Sequence, residues 1–76
     1  MTFQDLPDSD IPGAIEALLF VSDEPVAAST LAEMLEIDRT RVVSALAALQ
    51  HRLAAGESGI QLREVAGGWR LYTHPR

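Results

Sequence analysis

Val42, Leu46, Leu49 and Leu53 recur at i, i+4, i+7 and i+11, the spacing of one face of an amphipathic helix. Val43 and Ala45 widen that stripe, Asp38 stands where an N-cap belongs, and Gly56 closes the pattern as a C′ residue. Upstream, Leu31, Met34 and Leu35 form a shorter buried stripe and predict a helix from residue 28 or 29 to residue 35. Ala27 before it offers no side-chain cap, a loss that typically costs about 1 kcal/mol. The three-residue connection Glu36-Ile37-Asp38 is short enough for the tight angle of a helix-turn-helix. A first helix is predicted over residues 11–21, with Asp10 as N-cap and Pro12 in the first turn, where a missing N–H costs nothing. Ile15, Leu18 and Leu19 hold helical spacing, yet Ala14, Ala17, Phe20 and Val21 make nearly every face apolar. A helix apolar all round is surrounded by protein, and three short helices cannot cover every face. Leu19 and Phe20 are therefore candidates to meet another chain.

Between these helices Pro25 pushes Glu24 toward extended backbone, so Pro25-Val26 reads as a short extended piece. After Gly59 the period falls to two. Ile60, Leu62 and Glu64 share one face and Gln61, Arg63 and Val65 the other. Ala66-Gly67-Gly68 makes a turn that tolerates positive φ, and on the return strand Trp69, Leu71 and Thr73 oppose Arg70 and Tyr72. A lone hairpin is marginal, so Leu62 and Leu71 are expected to pack on the helices. The predicted fold is mainly α with a small β-hairpin, a winged helix-turn-helix of three helices plus wing. Residues 1–10, with Asp5, Pro7, Asp8, Ser9 and Asp10, read as a flexible acidic arm before a domain at residues 11–76. The stop at His74-Pro75-Arg76, directly after the last strand, reads as a boundary inside a longer protein.

Size and composition sharpen this picture. A 76-residue chain has room for one small domain, which buries only about 60% of the surface its unfolded form exposes. With no cysteine, neither a disulfide nor a thiolate metal site can brace it, leaving regular packing or association with another chain. The N-terminus lacks the positive region of a secretory signal, and the apolar run from Ala17 to Val21 is too short to span a bilayer. The chain reads as soluble and cytoplasmic.

Charge is divided along the chain. Nine acidic residues and no basic ones precede Arg39, whereas six arginines and two glutamates lie from Arg39 onward, for a net charge of −5. The third helix, the one that would enter a DNA groove, carries Arg39 and Arg41 at its start and Arg52 near its end. Arg63 and Arg70 lie on the wing. These five are candidates for weak DNA contact, but an acidic domain is a poor electrostatic footprint for it. The same arginines suit local ion pairs with the acidic half, within one chain or across two. Trp69 and Tyr72 suit either packing against the helices or an aromatic interface anchor. His51 and His74 have no partner at metal-ligand spacing, and no nucleophile elbow, phosphate loop or paired-carboxylate motif is readable. Catalysis, cofactor and metal are therefore not expected.

Two blocks of sequence carry a specific resemblance. Ile15-Glu16-Ala17-Leu18-Leu19-Phe20-Val21-Ser22-Asp23-Glu24-Pro25-Val26, followed by Leu31-Ala32-Glu33, forms the first. Gly59-Ile60-Gln61-Leu62-Arg63-Glu64-Val65-Ala66-Gly67-Gly68-Trp69-Arg70-Leu71-Tyr72-Thr73 forms the second. Together they resemble the segregation and condensation protein B family, over roughly residues 11–75. The resemblance implies a non-enzymatic, nucleoid-associated accessory subunit built of two winged helices in tandem, of which this is the first. It implies a homodimer that binds the kleisin, segregation and condensation protein A, and through it an SMC ATPase, in chromosome condensation and segregation. Self-association is then expected to fall to this half, with Leu19, Phe20, Trp69 and Tyr72 as candidate interface residues. Two other classes compete: a winged-helix transcription regulator, which would need tight duplex binding through Arg39 and Arg41, and an enzyme fragment, which would need a concave pocket gathering titratable groups.

Overall fold

Three helices and a hairpin follow one another: α1 (Ile11–Phe20), α2 (Ala28–Leu35), α3 (Arg39–Ala55), β1 (Ile60–Val65) and β2 (Gly68–Thr73). The structure, a computed structural model, describes residues 5–56 and 59–73. Residues 1–4 of the acidic arm, Ser58 at the entry to the wing, and residues 74–76 with His74 lie outside the described residues.

The arm enters α1 already coiled. Asp8–Asp10 form one turn of 3-10 helix, in which the Asp10 N–H donates to the Pro7 carbonyl at 2.9 Å. Asp10 thus has helical backbone (φ −96°, ψ −15°) and makes no side-chain cap, unlike the isolated N-cap the sequence suggested. Leu6 packs against the core from this arm. Inside α1, Ile11, Ile15 and Leu19 recur every four residues and all turn inward.

Helix α2 begins after the uncapped Ala27 and buries Leu31 and Leu35. Met34, expected in that stripe, is half exposed, because an eight-residue helix turns only one narrow face to the core. The turn after α2 is a Schellman closure: Glu36 takes a left-handed conformation (φ 56°) and the Ile37 N–H reaches back to the Ala32 carbonyl at 3.1 Å. Ile37 is thereby folded into the core. Asp38 does stand at the N-cap of α3, but with its carbonyl, which accepts from the Arg41 and Val42 N–H groups, and without a side-chain bond. At the far end Gly56 is extended (φ −88°, ψ 174°), so the left-handed exit expected of it is absent. Its N–H still closes on the Arg52 carbonyl at 3.1 Å.

Along α3, Val42, Ala45, Leu46, Leu49 and Leu53 form the spine of the core, while Val43, expected to widen that stripe, is half exposed. The antiparallel wing pairs Leu62 with Leu71, Glu64 with Trp69 and Arg63 with Arg70. Ala66 (φ 50°) and Gly67 (φ 81°) make its two-residue turn, so β2 starts at Gly68, one residue earlier than the sequence suggested. Leu62 is fully buried and ties the wing to the helices, and Gln50 Nε2 donates to its carbonyl at 3.0 Å. Leu71 and Trp69 pack at the edge of the same core. The extended piece before α2 becomes part of the sheet, because Val26 and Trp69 exchange backbone hydrogen bonds at 2.9 and 2.7 Å.

Gly13 lies on the exposed side of α1, and a methyl group there would meet nothing within 4 Å. Gly13→Ala is expected to stabilise the domain by up to about 1 kcal/mol through lower unfolded-state entropy, read as a raised midpoint in urea denaturation.

Candidate protein interface

The first helix resolves its all-round apolar sequence by dividing its last turn. Leu19 is 3% exposed and belongs to the core, so it is removed from the candidate interface residues. Leu19 shares with Ile11 and Ile15 the face of α1 that packs against α3. Phe20 and Val21 point the other way and are 74% and 76% exposed. They end the helix together, where Ser22 Oγ donates to the Leu18 carbonyl at 2.7 Å. Two adjacent large apolar side chains this open to water form a hydrophobic ledge rather than a scattered surface residue.

Beside the ledge lies the outer face of β2. A cleft of about 200 Å³ separates the two, with Phe20, Leu71 and Tyr72 among its walls. Tyr72 is half-buried, and the guanidinium groups of Arg63 and Arg70 lie 5.8 and 5.7 Å from its ring centroid. The two arginines face each other directly across the hairpin. Like charges so placed repel, and the shared ring offsets this by roughly 0.5–1 kcal/mol per cation–π contact. Trp69 is half-buried against the core, pinned through its backbone to Val26.

The remaining arginines are arranged differently. Arg41 Nε donates to Asp8 Oδ1 at 2.9 Å and its Nη2 to the Leu6 carbonyl at 2.7 Å, which fastens the acidic arm to the start of α3. Arg52 Nη2 bonds Glu16 Oε1 at 3.1 Å, joining α3 to α1. Opposite charges from the two halves of the chain thus pair within one protomer. Exposed pairs of this kind contribute at most about 1 kcal/mol each, and their larger consequence is to engage two of the cations carried by the helix that would enter a DNA groove. Arg39 is exposed at the first position of α3.

Concave surfaces gather little chemistry. A cleft of about 470 Å³ beside the arm holds Asp8 and Arg41, which are bonded to each other, among otherwise small and hydroxyl side chains. Among the described residues no group of three histidines, cysteines or carboxylates could hold a metal ion, and no helix is long and apolar enough to cross a membrane.

The family described as segregation and condensation complex subunit ScpB matches residues 13–76 of this sequence. The chain belongs to that family. Segregation and condensation protein B of Moorella thermoacetica is 39% identical over 66 residues, which span 87% of this chain and 34% of that protein. That of Symbiobacterium thermophilum is 38% identical over 61 residues, spanning 80% of this chain and 28% of that protein. The chain therefore covers about a third of the length of the curated relatives it matches. In three dimensions it is similar to ScpB from Mycobacterium tuberculosis, with a TM-score of 0.84 and 38% identity over 92% of this chain and 44% of that one. A dimer of the ScpB N-terminal domain complexed with ScpA peptide superposes with a TM-score of 0.79 and 33% identity, over 86% of this chain and 82% of that one. These matches make the wing and helix-turn-helix those of an ScpB winged helix.

Two features of the surface escape a residue-by-residue reading of the sequence. The Val26–Trp69 bridge links positions 43 apart, and only Pro25-Val26 reading as extended hinted at it. Alternation puts Arg70 and Tyr72 on one face of β2, but the meeting of Arg63 with them at one ring depends on register.

Proposed function

We propose that this domain is the self-associating first winged helix of an ScpB-type subunit. In this reading it is a non-enzymatic interaction module that dimerises and helps to seat the kleisin ScpA, and through it an SMC ATPase, in chromosome condensation and segregation. One observation carries the reading: the ledge of Phe20 and Val21, left open on a small domain that has little core to spare. The solved dimer of a related N-terminal domain with an ScpA peptide supports both the self-association and the partner. Arg41 and Arg52, spent on Asp8 and Glu16, weigh against the alternative of a DNA-reading regulator. Tandem arrangement with a second winged helix fits the third of its relatives' length that this chain covers.

Light scattering on a gel-filtration column is expected to give twice the 76-residue mass at micromolar concentration. Phe20→Glu places a charge on the ledge and is expected to give a folded monomer with unchanged helical circular dichroism below its melting transition, since Phe20 makes little of the core. A wild-type chain that stays monomeric at every concentration overturns the reading. A Phe20→Glu chain that remains dimeric moves the interface elsewhere.

A further inference from the structure

We infer that the outer edge of β2, at Leu71 and Thr73, is a docking site for an extended peptide segment of alternating acidic and apolar residues, which adds as a further strand to the wing. The inference goes beyond self-association and rests on backbone groups that reading does not use.

In an antiparallel strand the N–H and C=O of one residue point to the same side, and the side alternates along the chain. Trp69 gives both its groups to Val26 and so points away from β1. Leu71 and Thr73, two and four residues on, therefore present theirs on that same outer edge. Val26 is a single bridging residue, and the chain turns into α2 two residues later, so the cover stops at Trp69. No backbone group of the described residues meets Leu71 on that side. Sheet edges are usually blunted by a proline, a bulge or a covering segment, and beyond Trp69 the described residues place none of these along β2. Instead the edge opens on the cleft walled by Phe20 and Leu71.

Strand addition draws affinity from the backbone and specificity from alternate side chains. One set of the added residues would lie beside Arg70 and Tyr72, with Arg63 behind them. Neither Arg63 nor Arg70 has a carboxylate within ion-pairing distance among the described residues, so this side selects acidic residues. The other set would face the side of the cleft walled by Ile60 and Leu71 and selects apolar ones. Charge also decides against a second copy at this edge. Pairing β2 with its own copy would gather two Arg63 and two Arg70 on one face with no carboxylate among them.

The test uses the isotope-labelled 76-residue chain and terminally blocked peptides of about six residues, the usual strand length, with glutamate alternating with valine or phenylalanine. Amide exchange of Leu71 and Thr73 is expected to slow on adding peptide, while Arg70 and Tyr72, already bonded to β1, change little. Thr73→Pro removes one outer donor at the exposed strand end and is expected to weaken binding about fivefold to tenfold, with the melting curve preserved. Arg63→Glu with Arg70→Glu is expected to weaken it at least about tenfold. No protection of Leu71 by any peptide of the panel overturns the proposal. So does equal binding of a panel with lysine in place of glutamate. Leu71 and Thr73 amides already slow in the peptide-free protein also overturn it, since a second copy would then hold the edge, whatever mass light scattering reports.

Discussion

Leu62→Ala is expected to lower stability by about 2–5 kcal/mol, the range for truncating a fully buried leucine. Leu62 is 0% exposed and is the one residue of β1 wholly inside the core formed by α1, α2 and α3. A domain of this size has roughly 5–10 kcal/mol of stability in all, so the loss is a large share of it. Each kcal/mol lowers the melting temperature by about 4–8 °C in chains of this length. The wing should fail first, because Leu71 and Trp69 reach the core only from its margin. Trp69 lies on that hairpin and its fluorescence reports the detachment directly. A red-shifted emission that precedes loss of helical signal is the expected result. A melting temperature within a few degrees of wild type would mean that the Gln50 bond and the Val26 bridge hold the wing without Leu62.

Gly68→Ala is expected to cost about 1–3 kcal/mol, the usual penalty of overpacking. A Cβ at this position would stand 2.7 Å from Pro25 Cβ, 2.9 Å from the Pro25 carbonyl carbon and 3.0 Å from the Val26 nitrogen. Two of those three contacts are to backbone, and Val26 is held by its pair of hydrogen bonds to Trp69. Relief therefore requires the bridge to open. Gly68→Val should be worse, and exchange of the Val26 and Trp69 amides should accelerate in both variants. Gly67→Ala separates the causes, because Gly67 has φ 81° but nothing within 4 Å of a new Cβ. It is expected to show conformational strain without faster exchange at Val26. Equal exchange in Gly67→Ala and Gly68→Ala would sink the steric account.

Much of the architecture was legible because its signals are local. The four-residue spacing from Val42 to Leu53 and the two-residue spacing through β1 and β2 each follow from one element's own period. The errors sit where one element needs another to decide. Asp10 looked like a cap until the 3-10 turn supplied the donors' partners, and Gly56 looked left-handed although Glu36 is the residue that takes that conformation. Met34 and Val43 looked buried because hydrophobicity alone cannot say how wide a face its neighbours will cover.

The candidate site divides the same way. From the sequence alone came the excess of apolar residues on α1, the acidic and basic halves, and a return strand with Arg70 and Tyr72 on one face. Composition and periodicity suffice for these, since each depends only on which residues occur and at what interval. Tertiary structure decided that Leu19 turns into the core while Phe20 stays outside, and that Arg41 and Arg52 pair with Asp8 and Glu16 of their own chain. It also decided that Val26 covers β2 only as far as Trp69. The ion pairs and the bridge rest on contacts between residues 33 to 43 positions apart, set by the packing of whole helices and by strand register, and no local interval encodes them.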